Sequence, residues 1–262
     1  MNCIFCKKSS ANSNSIEHII PESLGNKGKI LEKGIVCDKC NNYFATKVEK
    51  PLLDLDYFKS LRARNEIESK KGKIPIEKII FEGSKCESEI RRLENTTYID
   101  VTVNDLDFFT RIANGKIKKL KFSVPLLPPL NNYYVSRFLA KVAIEVIAQR
   151  LKISQEGLDY LVEESQFDEI REFARYGKKY KEWPYHVRKI YGENQPFKSN
   201  YDPSIMQDRL FEYDILVTNS SEYYLVLILK GVEYSINIGG PEIVGYKNWL
   251  IDNNHKSPLY LK

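Results

Sequence analysis

Apolar residues recur along this chain with two periods, and the period changes from segment to segment. Between Tyr133 and Leu151, the residues Val135, Phe138, Leu139, Val142, Val146 and Ile147 keep the roughly 3.6-residue spacing of a helix face. A second helical pattern runs from Gln155 to Ala174, with Ser154 placed as its N-cap. Asp105 to Ile112 predicts a short helix. Ile76 to Phe81, Tyr98 to Val103 and Ile117 to Val124 carry β-branched residues in partial alternation and read as strands. Phe211 to Val217, Tyr223 to Leu229 and Val232 to Ile238 are spaced as an antiparallel meander. Its turns fall at Asn219–Ser221 and near Gly231, and Gly239, Gly240 and Pro241 end it.

The N-terminal stretch has shorter apolar runs. Ile16 to Ile20 predicts a strand, Leu24 to Lys29 a Gly- and Lys-rich loop, and Ile30 to Val36 a returning strand. A helix is expected from near Cys40 to about Val48, with Pro51 either kinking it or opening a new stretch that reaches Leu61. Arg62 to Lys73 is highly charged and holds one large apolar residue, Ile67; it reads equally as a connector or as a solvated helix extension. The expected division is a compact unit at 1–61, a charged connector at 62–73 and a mixed α/β domain at 74–262.

Composition narrows the function classes only a little. The 262 residues suffice for one large domain or two smaller ones, and 42% apolar with 12% aromatic residues supports a sizeable core. A net charge of +5 and a pI near 8.7 suit a polyanion partner without requiring one. No apolar run approaches the roughly 20 residues of a membrane-spanning helix. Met1 to Ser10 is polar and lacks the apolar stretch of an export signal, so the expectation is a cytoplasmic protein with no membrane partner.

Cysteine spacing changes the picture more. Four of the five cysteines form two Cys-x-x-Cys pairs, Cys3 with Cys6 and Cys37 with Cys40. Each pair puts two soft sulfur ligands on one side of a turn, and two pairs supply the four ligands that structural Zn²⁺ takes. A redox dithiol or an iron–sulfur cluster would leave the histidine between the pairs unexplained. A unit this small gains much of its folding free energy from the metal. Cys86 stands apart and is expected to be an ordinary buried or half-buried thiol.

Between the pairs lies Glu17-His18-Ile19-Ile20-Pro21, and Asn41-Asn42 follows the last cysteine. Together with Cys3-Ile4-Phe5-Cys6 and Val36-Cys37-Asp38-Lys39-Cys40, these segments resemble the HNH endonucleases of the ββα-metal superfamily. The resemblance covers about Met1 to Glu49. It implies that His18 is a general base activating water. Glu17 would bind a divalent cation where many relatives have Asp, and Asn41 would do so where many have His. It also implies a structural Zn²⁺ and a catalytic Mg²⁺ or Mn²⁺, with Ni²⁺ acceptable to so sparse an oxygen–nitrogen site. A helix that buries Phe44 puts Asn41 about 60° from that residue and Asn42 about 160° away. Asn41 is therefore preferred, with Asn42 kept as an alternative cation ligand. Many relatives brace the histidine loop with an asparagine shortly before the third cysteine; here Leu31-Glu32-Lys33-Gly34-Ile35 has none, and Asn26 is the nearest.

The fold class expected is thus α+β: a small zinc-stabilised ββα-metal domain followed by a larger mixed α/β domain with an antiparallel C-terminal meander. Lys27, Lys29 and Lys33 lie in or beside the expected hairpin, where they can meet a DNA backbone. From Arg175 to Tyr191, cations including Lys178, Lys179, Lys181, Arg188 and Lys189 alternate with Tyr176, Tyr180, Trp183, Tyr185 and Tyr191. Basic residues attract phosphates and rings stack on bases, yet the same pattern fits a solvated basic loop with aromatics tucked into a core. His186 reads as a contact or packing residue. Two functions stand: a metal-dependent endonuclease acting on duplex DNA, or an inactive zinc-stabilised nucleic-acid-binding protein. Similar modules fused to unrelated domains occur in restriction, mobile-element and anti-phage systems. The region 74–262 leaves open DNA recognition, a regulatory ligand or protein partner, and a homodimer.

Overall fold

The structure, a computed structural model, describes residues 1–92, 99–177, 183–198, 202 and 204–260. Strands β1 (Glu17–His18) and β2 (Ile30–Leu31) form the N-terminal hairpin. Helix α1 (Asp38–Phe44) continues through a π turn (Ala45–Glu49) into α2 (Lys50–Leu53), and α3 (Asp56–Arg64) follows. Next come β3 (Glu77–Ile79), β4 (Ser88–Arg92), β5 (Ile99–Thr102) and α4 (Leu106–Ala113). Three helices succeed them: α5 (Tyr133–Leu151), α6 (Gln155–Glu163) and α7 (Asp168–Tyr176). The chain then forms β6 (Tyr185–Lys189), β7 (Phe197–Lys198), β8 (Met206–Gln207), β9 (Phe211–Val217), β10 (Tyr223–Leu229), β11 (Val232–Asn237) and α8 (Val244–Asp252). This is a mixed helix-and-sheet architecture with antiparallel sheets and an N-terminal four-cysteine site. Among the described residues, no helix is long and apolar enough to cross a membrane.

The chain divides into two compact units. One joins Met1–Ile20, Gly28–Leu52 and Pro129–Lys262; the other comprises Pro21–Lys27 and Leu53–Pro128. The N-terminal segments of the first unit therefore share a core with the C-terminal half.

Helix α5 is the axis of the first unit. It is buried from Val135 to Val146 on every face, because sheet, hairpin and neighbouring helices surround it. Asn132 caps it, its Oδ1 accepting from the amides of Tyr134 and Val135. The four-stranded sheet runs β6-β11-β10-β9. One sheet face sends Tyr224 and Val226 into a cluster with Ile243, Tyr246 and Leu250 of the α8 region. Strand alternation turns Leu225 and Leu227 to the opposite face, where Tyr213, the neighbour of Leu227, donates to Gln149 of α5. Lys230 and Gly231, both at positive φ, form the two-residue turn between β10 and β11.

The second unit pairs β3-β4-β5 antiparallel over a small core of Ile79, Phe81, Ile90 and Phe108. Asp105 caps α4 by accepting from the Phe108 amide.

Several elements differ from the sequence reading. The hairpin strands are two residues each, shorter than 16–20 and 30–36. The first helix starts at Asp38, with the Cys37 thiol as its N-cap, and does not break at Pro51. A π turn closed by the Lys50 amide on Ala45 O lies directly ahead of Pro51, whose ring would clash with the carbonyl four residues back in a regular α-helix. Residues 117–124 make only an isolated bridge, Phe81 to Phe122, while the charged segment Ser88–Arg92 is the strand. The expected helix 155–174 is two, because Glu164 turns extended and caps a 3-10 turn through the Gln166 amide. Cys86 is exposed rather than buried.

Candidate metal and nuclease site

The first knuckle is made by local backbone bonds. Lys7 N donates to Cys3 O at 2.9 Å, and Cys3 N to Lys8 O at 2.9 Å, with Lys7 at a positive φ that tightens the turn. The second knuckle is the start of α1 itself. The sulfurs of Cys3, Cys6, Cys37 and Cys40 lie within 4.8 Å of one another, so they are positioned to hold one metal ion. Cys6 Sγ and Cys37 Sγ stand 3.7 Å apart. Zn–S bonds of about 2.3 Å give tetrahedral edges of about 3.8 Å, whereas a disulfide needs about 2.0 Å. The cluster therefore fits a tetrahedral thiophilic ion.

Donors around the sulfurs reinforce this. The Cys37 amide points at Cys3 Sγ (3.3 Å) and the Cys40 amide at Cys37 Sγ (3.4 Å). Arg175 of α7 donates Nε–H to Cys40 Sγ at 3.2 Å, and its guanidinium lies 3.7 Å from the centre of the Tyr43 ring. One turn earlier on the same helix, Arg171 donates to Ile4 O at 2.7 Å and so ties down the first knuckle. The Cys40 thiol donates to Cys3 and holds the Cys3 thiol down at about 5, and Cys40 is pushed up in return. Burial pushes the Cys6 thiol up.

Helix α1 also holds the strand that bears the histidine. Asn41 is half-buried, and its Nδ2 donates to Ile16 O at 3.0 Å, one residue before Glu17. The Asp38 carboxylate accepts from the amides of Asn14 (3.0 Å) and Ser15 (2.8 Å) and from the Ser15 hydroxyl (2.5 Å). Those bonds hold the Asp38 carboxyl below its ordinary range, the Ser15 hydroxyl contributing most. Asn42 is exposed, in keeping with its helical phase. In β1, His18 is half-exposed while Glu17 is buried.

Glu17 has a partner that sequence reasoning missed. Lys141 of α5, fully buried, places Nζ 2.8 Å from Glu17 Oε1, 3.0 Å from Glu49 Oε1, 3.0 Å from Glu145 Oε2 and 3.1 Å from His18 O. Burial opposes its charge, but Glu145, Glu17 and Glu49 together outweigh it and hold the ammonium protonated well above its ordinary range. Burial pushes the Glu145 carboxyl up strongly. The signal was present in sequence: Arg137, Lys141 and Glu145 form a polar stripe at four-residue spacing inside an apolar helix.

A hard divalent cation prefers oxygen donors; Glu17 on β1 carries a carboxylate and Asn41 on α1 an amide oxygen. The Asn41 NH₂ group bonds Ile16 O, so Oδ1 is the atom left to face a cation. With the Glu145 carboxyl pushed up by burial, Glu17 and Glu49 still outnumber the one ammonium behind Glu17. The donor set thus fits such an ion in kind, although Glu17 already answers to Lys141.

The remaining site candidates are dispersed. Lys27, Lys29 and Lys33 are exposed. Lys178, Lys179 and Lys181 lie outside the described residues, as does Tyr180. Arg188 donates to the buried Glu233 (2.5 Å) and to His255 O (2.7 Å), which occupies the guanidinium within the fold. Lys189 is exposed. Trp183 is fully buried with its indole N–H on Asn237 O, and Tyr185 is buried with its hydroxyl on Pro129 O, so these rings serve the core. His186 sits against the Tyr246 ring at 5.5 Å.

No curated protein and no solved structure matches this chain. Residues 3–54, which contain the four cysteines, Glu17, His18 and Asn41, match the family model for HNH endonucleases.

Proposed function

We propose that this protein is a metal-dependent endonuclease that hydrolyses phosphodiester bonds in DNA. The observation that carries the reading is the Asn41 bond to Ile16 O, which joins the helix of the four-cysteine cluster to the strand of Glu17 and His18. The His18 imidazole, half-exposed on β1, takes a proton from the attacking water, a role that a neutral ring fills near physiological pH. Glu17 and Asn41 would hold Mg²⁺ or Mn²⁺, and Ni²⁺ suits the same donors. Bound there, the ion would stabilise negative charge on the phosphate and the leaving oxygen. Zn²⁺ in Cys3, Cys6, Cys37 and Cys40 would be structural, because four protein sulfurs leave it no open position. Lys27, Lys29, Lys33 and Lys189 would meet phosphates. By analogy with fused HNH modules, a bacterial defence or restriction setting is proposed.

One observation favours a second reading, an inactive nucleic-acid-binding module: Glu17 is 4% exposed and ion-paired. Cleavage of supercoiled plasmid and linear duplex by wild type and His18→Ala, with Mg²⁺, Mn²⁺ or EDTA, separates the two. Metal-dependent nicking lost in the variant supports the nuclease; binding without cutting by both proteins supports the second.

A further inference from the structure

We infer that Lys141 is a positioning residue of the proposed nuclease site, supplied by α5 from far outside the segment 3–54. The inference rests on the nuclease reading above and names a residue that the motif does not contain.

The geometry is specific to two consecutive residues. One ammonium donates to the side chain of Glu17 (2.8 Å) and to the backbone carbonyl of His18 (3.1 Å). It thereby fixes the carboxylate proposed as a cation ligand and the backbone from which the imidazole projects. Its other acceptors, Glu49 on the π turn and Glu145 one turn along α5, hold the ammonium itself. Lys141 and Glu145 are both 0% exposed, and the Phe44 ring lies 5.9 Å from Nζ. Four oxygens share three N–H groups, so the ammonium has little freedom to rotate or withdraw.

Stability alone is a poor reason for this arrangement. Buried ion pairs are commonly matched or exceeded in stability by apolar side chains of similar volume. What an apolar pair cannot do is orient a carboxylate and a carbonyl. Orientation matters at a reacting centre, where a displacement of about 1 Å can cost about 10²-fold in rate.

The test uses the full-length protein with Lys141→Met/Glu145→Met, which removes the pair without leaving either charge alone on α5. Circular dichroism and metal content first establish that the variant folds. The expected result is a fall in kcat for plasmid nicking of about 10²-fold, the size of a positioning loss, with KM for DNA little changed. Mn²⁺ affinity, read by electron paramagnetic resonance without turnover, should fall as well. A folded variant with wild-type kcat and wild-type Mn²⁺ affinity overturns the inference, since a merely structural pair predicts that outcome. If the double variant does not fold, Lys141→Arg is measured instead: it keeps the charge but displaces the donor atoms. A reduced kcat in a stable protein supports positioning, and an unchanged kcat refutes it. Failure of the wild type to cut sinks the nuclease reading separately. The Mn²⁺ affinity and the ¹⁵N resonances of the His18 ring then decide the role of Lys141: movement on substitution sustains it, and no movement refutes it.

Discussion

Arg175→Met should weaken metal binding at the four-cysteine cluster by about 10–100-fold, the range for groups that orient metal ligands. The side chain is 5% exposed and its Nε lies 3.2 Å from Cys40 Sγ. A unit charge at that distance from a thiolate is worth about 5 kcal/mol at an effective dielectric of about 20. Desolvation of both groups removes much of this, and net values for hydrogen bonds to charged groups are about 1.5–3 kcal/mol. That range corresponds to about 10–150-fold in affinity, consistent with the first figure. Methionine keeps the length and apolar body of the side chain, so the Tyr43 ring remains covered and the loss reports on the cation. The assay is competition for Zn²⁺ against a chromophoric chelator, with folding checked by circular dichroism. Arg175→Lys, which keeps charge but not the planar Nε–H, should fall between. A folded Arg175→Met protein that holds Zn²⁺ within twofold of wild type would refute the argument that α7 electrostatically supports the cluster.

Asn41→Ala should abolish metal-dependent nicking and, by losing the bond to Ile16 O, lower stability by about 1 kcal/mol in chemical denaturation; full activity in the variant would remove Asn41 from the site. Gly231→Ala should destabilise by at least about 2 kcal/mol, since φ is +81° and a Cβ would come 2.4 Å from Tyr191 O; an unchanged denaturation midpoint would contradict it. His186 is held below its ordinary range by burial and then by Arg188, so the unfolded chain binds its proton first as pH falls. Stability should therefore drop below about pH 6.5, and His186→Phe should flatten that part of the melting-temperature profile; an identical profile would show that another group titrates. Lys29→Ala/Lys33→Ala should weaken DNA binding uniformly across sequences and reduce the salt slope by up to about 2; an unchanged slope would place the backbone elsewhere.

The cysteine pairs, the α5 helix and the C-terminal meander were legible because each is set by local pattern: ligand spacing, a 3.6-residue period, and alternation punctuated by glycine. The strand Ser88–Arg92 was not, since Ile90 is its one apolar side chain and its pairing with β3 and β5 is non-local. Strand β6 was hidden for another reason. Its run Tyr185-His186-Val187-Arg188-Lys189 reads as a basic, aromatic surface, but Glu233, which fixes Arg188, stands directly opposite on β11 and 45 residues away. Charge that is neutralised across a sheet looks exposed in sequence.

The same reasoning applies to the site. Glu17, His18 and Asn41 were proposed from a pattern that spans about fifty residues. Lys141, Arg171 and Arg175 were not, because their partners are Glu17, Ile4 and Cys40, each more than a hundred residues away. These three cations are buried, and a buried cation needs specific acceptors to offset its desolvation. The short N-terminal segments supply them: a carboxylate, a carbonyl and a sulfur. Neither partner is complete alone. Without α5 and α7 the segment would expose Glu17 and the knuckle carbonyl; without the segment Lys141 would keep only Glu145, Arg171 would lose Ile4 O and Arg175 would lose the Cys40 sulfur. The C-terminal half of the chain is therefore part of the site's construction, and an excised 1–61 fragment would lack the groups that hold its own motif in place.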